Sequence, residues 1–393
     1  MATFPAVLVT GPRQSGKTTL VREVLNETHA YLPLDELDIR SFAIQDPRGF
    51  LDQCSGPTII DEIQNAPELL SYVKTRIDQD RSPGQWVLTG SQQFPLMQNV
   101  SESLAGRIAV MTLYPFALEE MTGQMYGQYT EAGQFIEHLM KARKDTEPAF
   151  SVGSWLLGGG YPELFVNKRI SRKLWFSSYV QTYIDRDVRG NIRNANLMEF
   201  ERFIRLLASR TAQELNYSTL SRDVGVAVPT IKSWISLLQA SSIIYLLSPY
   251  HTNYGKRIIK APKCYFLDTG LVCYLVGLQD QDHLVNGPMA GALFETACVI
   301  QCLKRFTAMG DACSLYYWRS TDGHEVDLLI ETGTGVYPIE FKLSSTISAG
   351  HAQSLRKWLT LSGSTIDHGL VVSCSTQSRA VTREVSNCHF LCL

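Results

Sequence analysis

The 393-residue sequence lacks a matched set of cysteine and histidine ligands for a structural metal, a surplus of charge of either sign, and any long apolar run. None of its nine cysteines forms a C-x-x-C pair, and the odd number favours reduced thiols over a disulfide framework. Cys298/Cys302 and Cys388/Cys392 have i,i+4 spacing but no matching histidines, which argues against structural zinc. A net charge of −2 provides no global basic field for nucleic acid, although a local basic surface stays compatible with it.

Targeting signals are also missing. The first ten residues contain no basic segment followed by a cleavage site, and no apolar stretch approaches the length of a transmembrane helix. We therefore expect a cytoplasmic protein with no membrane partner. The length suggests two or three domains, and 45% hydrophobic residues suffice for packed cores.

An apolar run at 6–9 leads directly into a glycine-rich segment and then into a helical pattern. The segment follows G-x-x-x-x-G-K-[ST] and comprises Gly11, Pro12, Arg13, Gln14, Ser15, Gly16, Lys17 and Thr18, followed by Thr19. Between a strand and a helix, such a loop surrounds phosphates with backbone N–H groups, while Lys17 neutralises phosphate charge and Thr18 ligates Mg²⁺. The sequence therefore predicts a nucleotide site with ATP and Mg²⁺ as ligands.

Two further strand ends carry polar groups. The β-branched run at 57–60 ends in Asp61 and Glu62, which we assign to Mg²⁺ binding and to the general base that polarises the attacking water. The run at 85–90 is followed by Ser91. Because the carboxyl ends of parallel strands converge on the nucleotide, Ser91 or Thr89 is expected to contact the γ-phosphate or the water, and Ser91 is favoured over a simple strand-end turn.

Arg107 follows a glycine turn and is the candidate for stabilising transition-state charge, supplied by the same subunit or by a neighbouring one. A neighbouring donor requires a homo-oligomer. The alternative, a surface arginine after a turn, is equally compatible with the sequence.

The order of these segments predicts the fold class of the first region, 1–124. Strand patterns alternate with helical patterns, which favours an α/β fold in which a parallel P-loop NTPase sheet has helices on both faces. The strands are expected at 6–10, 30–34, 57–61, 85–90 and 107–113, and the helices at 17–26, 40–53 and 67–79.

The middle region, 148–255, reads as helical and includes a helix from 217, a glycine turn, a helix at 229–238 and a strand at 243–247. This order is typical of a winged helix-turn-helix. In a DNA-binding protein the second helix would direct Thr230, Lys232 and Ser233 toward a groove. The phosphate contacts would come from His251, Lys256, Arg257 and Lys260. A structural or protein-docking role is an equal alternative, because the second helix has a single lysine.

The last region, 262–393, predicts a second α/β domain with a PD-(D/E)XK nuclease-like arrangement. Glu340 and Lys342 share one face of a strand, and Asp327 on a paired strand completes a site for a divalent ion. Lys342 would activate the water, and Glu295 would enter from a helix. The fold without cleavage activity is the alternative.

Together these segments resemble the large prokaryotic family of AAA-type P-loop ATPases whose C-terminal half is a domain of unknown function. The resemblance covers nearly the whole chain and is carried by the segments 10–20, 60–64, 88–91, 103–107, 183–187, 266–271, 317–319, 325–327 and 340–342. It implies an ATPase core, a winged-helix middle and a nuclease-like C-terminal domain. Similar chains usually have a further segment before the first strand, whose residues ordinarily help to recognise the nucleotide base. Here the first strand begins only a few residues after Met1, so the resemblance assigns no residues to base recognition.

Two function classes follow from these patterns. One is an enzyme that hydrolyses ATP to act on DNA, with metal-dependent cleavage as an additional activity. The other is a nucleotide-switched module that binds protein or DNA and carries a catalytically silent nuclease fold.

Overall fold

The computed structural model describes residues 3–91, 100, 103–123, 129, 131–141, 150–183, 197–251, 261–310 and 314–393. The chain forms two compact units. Unit 1 comprises Met1–Pro115 with Ala240–Ser242, and unit 2 comprises Phe116–Gln239 with Ile243–Leu393.

Unit 1 contains a parallel sheet, as the sequence predicts, and it has the P-loop NTPase fold. Its described strands follow the order β2-β3-β4-β1-β5 and are β1 (Ala6–Thr10), β2 (Ala30–Pro33), β3 (Thr58–Asp61), β4 (Trp86–Thr89) and β5 (Ile108–Thr112). The connecting helices are Lys17–Leu25, Leu37–Gln45, Pro47–Asp52 and Leu69–Gln79, with a 3₁₀ turn at Ile63–Asn65. Apolar side chains cover both faces of the interior strand β1, so the sheet is a well-packed platform for the loops at its carboxyl edge.

The helix predicted over 40–53 is wrong as a single element, because the chain forms two helices there. Asp46 is extended and its carboxylate accepts the N–H of Gly49, while Pro47 occupies the first position of the second helix. Proline has no N–H to continue a preceding helix but is well suited to begin a new one.

Unit 2 combines helices with a mixed sheet, so the α/β class predicted for the C-terminal region is confirmed. Its helices are Leu118–Thr122, Ala132–Lys141, Val152–Gly158, Pro162–Val166, Arg172–Tyr183, Leu197–Ala208, Tyr217–Val224, Val228–Ala240, Thr269–Val276, Gln281–Val285, Ala290–Met309 and Gln353–Ser362, with 3₁₀ turns at Ala349–Ala352 and Phe390–Cys392. In the described part of the chain, no helix is both long enough and apolar enough to span a membrane.

The sheet of unit 2 draws strands from both the middle and the last regions. In the described residues its order is β13-β14-β12-β11-β10-β9-β7-β8-β6. The strands are β6 (Gln213–Glu214), β7 (Ile244–Pro249), β8 (Lys263–Phe266), β9 (Ser314–Arg319), β10 (Glu325–Glu331), β11 (Val336–Lys342), β12 (Gly369–Ser373), β13 (Arg379–Thr382) and β14 (Val385–His389). Strand β7 pairs antiparallel with β8 and parallel with β9, so the sheet crosses the boundary predicted near 255–262. The division into three domains stays a prediction.

Candidate functional site

The phosphate loop connects β1 to the helix Lys17–Leu25, and its backbone shape depends on two glycines. Gly11 has φ 138°, and a Cβ atom there would lie 2.1 Å from the carbonyl oxygen of Leu113. Gly16, the residue before the helix, is left-handed at φ 92°. Only glycine adopts both conformations without strain, and at position 11 only glycine leaves room for the backbone of Leu113.

Lys17 lies inside this loop and is buried. Its Nζ donates to the carbonyl oxygens of Gly11 and Pro12 at 3.2 and 2.7 Å. Burial lowers the pKa of Lys17 to about 8, with Glu62 acting in the opposite direction. The hydroxyls of Ser15 and Ser91 are buried without a hydrogen-bond partner, so this site has donors to spare for an anion.

Asp61, at the end of β3, is the centre of a hydrogen-bond network. Its carboxylate accepts from the Thr18 hydroxyl at 3.0 and 3.2 Å, from the Tyr31 hydroxyl at 2.6 Å and from the Thr89 hydroxyl. Burial and the neighbouring Asp61 raise the pKa of Tyr31 well above its usual range, so the phenol remains a donor. Thr18 and Asp61 supply the hard oxygen atoms that Mg²⁺ prefers, so these residues fit Mg²⁺ bound with a nucleotide.

Glu62 has a left-handed backbone at φ 57°, which is uncommon for glutamate. Its N–H donates to the Thr89 hydroxyl at 3.0 Å, and its carboxylate accepts from the Gln64 amide. Thr89 therefore joins Asp61 and Glu62, whereas Ser91 keeps its hydroxyl uncommitted. Glu62 thus leaves the strand conformation that Asp61, the last residue of β3, still has.

Arg107 lies at the opposite edge of the sheet from the phosphate loop. It precedes β5, which runs parallel to β1, and its carbonyl accepts the N–H of Ala6 at the start of β1. Five residues of strand, about 15 Å, separate this edge from the loop. The guanidinium instead pairs with Asp78 at 2.7 and 3.1 Å. Within one chain the structure does not bring Arg107 to Lys17. Its ion pair with Asp78 fits the alternative of a surface arginine, and action on a neighbouring subunit stays a prediction.

A second cluster of charged groups lies in unit 2, where the predicted residues come together. The N–H of Phe341 donates to Oδ2 of Asp327 at 2.8 Å, which fixes this carboxylate against β11. Lys342 Nζ lies 2.5 Å from Oε1 of Glu340 and 3.9 Å from Oδ2 of Asp327. Glu340 is only 6% exposed, and its Oε2 atom is buried without a hydrogen-bond partner.

Three residues of this cluster are not among the predicted ones. Lys263, at the start of β8, donates to Oε1 of Glu295 at 2.9 Å and contacts a carboxylate oxygen of Glu325. The Tyr265 hydroxyl donates to the same Glu295 oxygen at 2.7 Å. Carboxylate oxygens of Glu295, Glu325 and Asp327 lie within 4.8 Å of one another. Among these three residues, the sequence pattern could have indicated only Glu325, because it lies two residues before Asp327 and therefore on the same face of β10.

Burial disfavours the ionised form of these carboxylates. Burial and the neighbouring Asp327 raise the pKa of Glu295 to about 7 and that of Glu340 to about 8. Burial also raises the pKa of Asp327. Buried carboxylates of this kind are stabilised by a cation or by a proton.

The helix pair at 217–240 has the local structure that the sequence predicts. Asn216 caps the first helix by accepting the N–H of Thr219 at 2.9 Å, and Gly225 ends it in a left-handed conformation. On the second helix Trp234 is buried against Phe200, whereas Lys232 and Ser233 are exposed and Thr230 is half-buried. His251 is half-buried, and Lys256, Arg257 and Lys260 lie outside the described residues.

Comparison with known families divides the chain into three matches. Residues 3–122 match the model of the AAA domain. Residues 151–282 and 290–391 match two domains of unknown function, DUF8612 and DUF4143. The first match supports a P-loop AAA ATPase domain at this end of the chain.

Two relatives extend the likeness over most of the chain. An uncharacterized protein of Mycobacterium bovis and one of Mycobacterium tuberculosis are each 29% identical over 344 residues, which covers 88% of this chain and 71% of each relative. Among solved structures, a variant of RuvB from Thermotoga maritima has a TM-score of 0.30 at 17% identity, covering 62% of this chain and 82% of that chain.

Proposed function

We propose that this protein binds ATP with Mg²⁺, hydrolyses the ATP and acts on DNA. The observation that carries the ATPase part is the contact between Thr18 and Asp61, 3.0 Å apart, beside the buried ammonium of Lys17. Lys17 and the loop N–H groups would hold the phosphates, and Thr18 and Asp61 would hold Mg²⁺, which neutralises phosphate charge when bound.

Glu62 is the general base of this proposal. Its carboxylate follows Asp61 directly and is oriented through its backbone bond to Thr89 and by the Gln64 amide. Such a carboxylate accepts the proton of the attacking water, and Ser91 supplies a free hydroxyl for the γ-phosphate or the water. Arg107 would act on the phosphate of a neighbouring copy, so the active form would be a homo-oligomer.

DNA is the proposed macromolecular partner of the helix pair at 217–240. The exposed face of its second helix carries Lys232 and Ser233, and a winged helix would place these side chains at a groove. The three basic residues at 256, 257 and 260 would contact phosphates.

A second activity, metal-dependent cleavage of DNA, is favoured by one observation in unit 2. The buried oxygen Oε2 of Glu340 has no partner, and its neighbour Asp327 is held in place by Phe341. A divalent ion between these carboxylates would polarise a scissile phosphate, and Lys342 would position the attacking water. The competing function is a nucleotide-switched binding module in which this centre is silent.

One set of assays tests these alternatives. The purified protein is assayed for ATP hydrolysis and for nicking of plasmid DNA, with and without duplex DNA and with Mg²⁺ or Mn²⁺. DNA-stimulated ATP turnover supports the enzyme. Slow turnover that DNA does not change, together with intact plasmid, supports the binding module, and no hydrolysis at all contradicts the ATPase proposal.

A further inference from the structure

The acidic centre of unit 2 already contains a cation from the protein itself. Lys263 is only 3% exposed, and its Nζ lies 2.9 Å from Glu295 and in contact with Glu325. These two carboxylates and Asp327 present oxygens within 4.8 Å of one another, which is the spacing of a shared cation site. The ammonium of Lys263 thus lies where an ion bound by Glu295 and Glu325 would lie.

The other half of the centre has an oxygen with nothing to bind. Glu340 uses Oε1 for Lys342, but its Oε2 is buried and unpartnered. Leaving a buried carboxylate oxygen without a partner is costly, so the fold leaves one coordination position open beside Asp327.

We propose that this centre takes a single divalent cation between Asp327 and Glu340, and that the ammonium of Lys263 permanently fills the second cation position between Glu295 and Glu325. The inference rests on the metal site of the proposed function and specifies its stoichiometry. Lys263 is then a positioning residue that holds Glu295 in place and excludes a second ion.

The charge of the centre agrees with one ion. Four carboxylates, Glu295, Glu325, Asp327 and Glu340, face two ammonium groups, Lys263 and Lys342. A bound cation favours the ionised form of the carboxylates, and four negative and two positive charges then leave two negative charges, which one divalent ion neutralises. With Lys263 in place, a second ion roughly 3.5–4 Å away, as in two-metal sites, would bring the centre to two surplus positive charges and would collide with the ammonium that already occupies its position.

Lys263 is also too confined to leave. Its side chain lies over the ring of Tyr317 at 5.6 Å, and the Tyr265 hydroxyl shares its partner oxygen on Glu295. Arg319, at the end of β9, is half-exposed and lies 3.8 Å from Glu325, so it pairs at the rim rather than inside the centre.

The test counts Mn²⁺ ions by electron paramagnetic resonance in the full-length chain without nucleotide. An Asp61→Ala background removes the carboxylate of the proposed Mg²⁺ site in unit 1. We expect one Mn²⁺ per chain in this background, at least tenfold weaker binding after Glu340→Gln, and a clearly smaller loss of affinity after Glu325→Gln, which removes a neighbouring charge but no proposed ligand. Lys263→Arg should keep one ion, whereas Lys263→Met should bind two.

Each remaining outcome has a defined meaning. Two ions in the Asp61→Ala chain, or equally weakened binding in Glu325→Gln and Glu340→Gln, overturn the inference and leave the proposed metal site standing. If no Mn²⁺ binds, both the inference and the proposed metal site are overturned. Lys263→Met could fail to fold without metal, and its thermal unfolding is then measured with added Mn²⁺. Cooperative unfolding that returns at two equivalents of Mn²⁺, but not at one, supports two sites in that variant. Cooperative unfolding that returns at one equivalent contradicts the second site.

Discussion

The hydroxyl of Thr18 lies 3.0 Å from the carboxylate of Asp61, although 43 residues separate them in sequence. The contact joins the first turn of the helix after the phosphate loop to the end of β3. It brings together two oxygen donors whose proposed roles are the same, and it leaves Lys17 and Glu62 on either side for different steps. Substitutions of Lys17 and of Glu62 should therefore have separable effects.

Lys17→Ala should abolish ATP binding, whereas Glu62→Gln should keep binding and slow hydrolysis by roughly 10²–10⁴-fold. The first change removes the charge that attracts phosphate, and the second removes only the proton acceptor. Fluorescent-nucleotide titration and steady-state phosphate release measure the two effects. Parental hydrolysis rates in both variants would contradict the site assignment.

ATP affinity should also fall above about pH 8. The pKa of Lys17 is lowered by burial to about 8, so the free protein loses this proton as the pH rises, and bound phosphate must recover it. The dissociation constant should rise by up to about tenfold per pH unit there. Calorimetry in two buffers should detect little proton uptake at about pH 7 and nearly one proton at about pH 9.5. Ser15→Ala, which removes no titrating group, should show the same pH profile, and equal uptake at both pH values would refute the prediction.

Arg107→Ala should reduce ATP turnover by roughly a thousandfold if this arginine acts on a neighbouring subunit. Asp78→Ala is the matched control, because it breaks the ion pair with Arg107 but leaves the guanidinium in place. Turnover should reappear when the Arg107→Ala chain is mixed with the Lys17→Ala chain, since each supplies what the other lacks. Unchanged turnover in both Arg107→Ala and Asp78→Ala would contradict a catalytic role and leave Arg107 as a surface partner of Asp78.

Reversing the charges of Lys232, Lys256 and Arg257 to glutamate should weaken duplex binding and flatten its salt dependence. The slope of log affinity against log salt should decrease by roughly one for each phosphate that the protein no longer neutralises, while nucleotide affinity should not change. Lys173→Glu, an exposed lysine on another helix of unit 2, is the control and should bind DNA like the parent. Weakening of the same size in Lys173→Glu would point to a diffuse effect of charge and away from the helix pair.

Nicking of plasmid DNA should be lost in Asp327→Asn and in Lys342→Ala while ATP hydrolysis continues. Asparagine can still accept the Phe341 N–H, so this variant removes the charge and largely keeps the fold. Lys357→Ala, which affects an ion pair with Asp322 at the surface, should keep nicking activity. Agarose-gel conversion of supercoiled to open-circular DNA measures the effect, and nicking by Asp327→Asn at the parental rate would exclude Asp327 as a ligand.

The parts of the ATP site that the sequence predicts are those encoded by short local patterns. Asp61, Glu62 and Ser91 each follow an apolar strand, and parallel strands bring their carboxyl ends to one edge. Tyr31 has no such signal, because its contact with Asp61 depends on the register in which Tyr31 lies opposite Ile59. A sequence pattern specifies the strand but not which neighbour it pairs with.

The same limit applies in unit 2. Alternation along β10 would have indicated Glu325 from Asp327, since side chains two residues apart share a face. Lys263 could not be found in this way. It reaches the acidic centre because β8 joins β7, β7 joins β9 and β9 joins β10, a chain of pairings between segments far apart in sequence.

The parallel pairing of β7 with β9 joins the strand that follows the helix pair to the sheet that carries the acidic centre. The N–H of Tyr250 donates to the carbonyl of Tyr317 at 2.6 Å, so the sheet continues from the strand after the helix pair into the strand beside Glu325. If a duplex binds the helices as proposed, a load on them would reach the acidic centre through these hydrogen-bonded strands. Cutting the chain after 250 would expose unpaired edges on both fragments, so we expect neither fragment to be soluble alone.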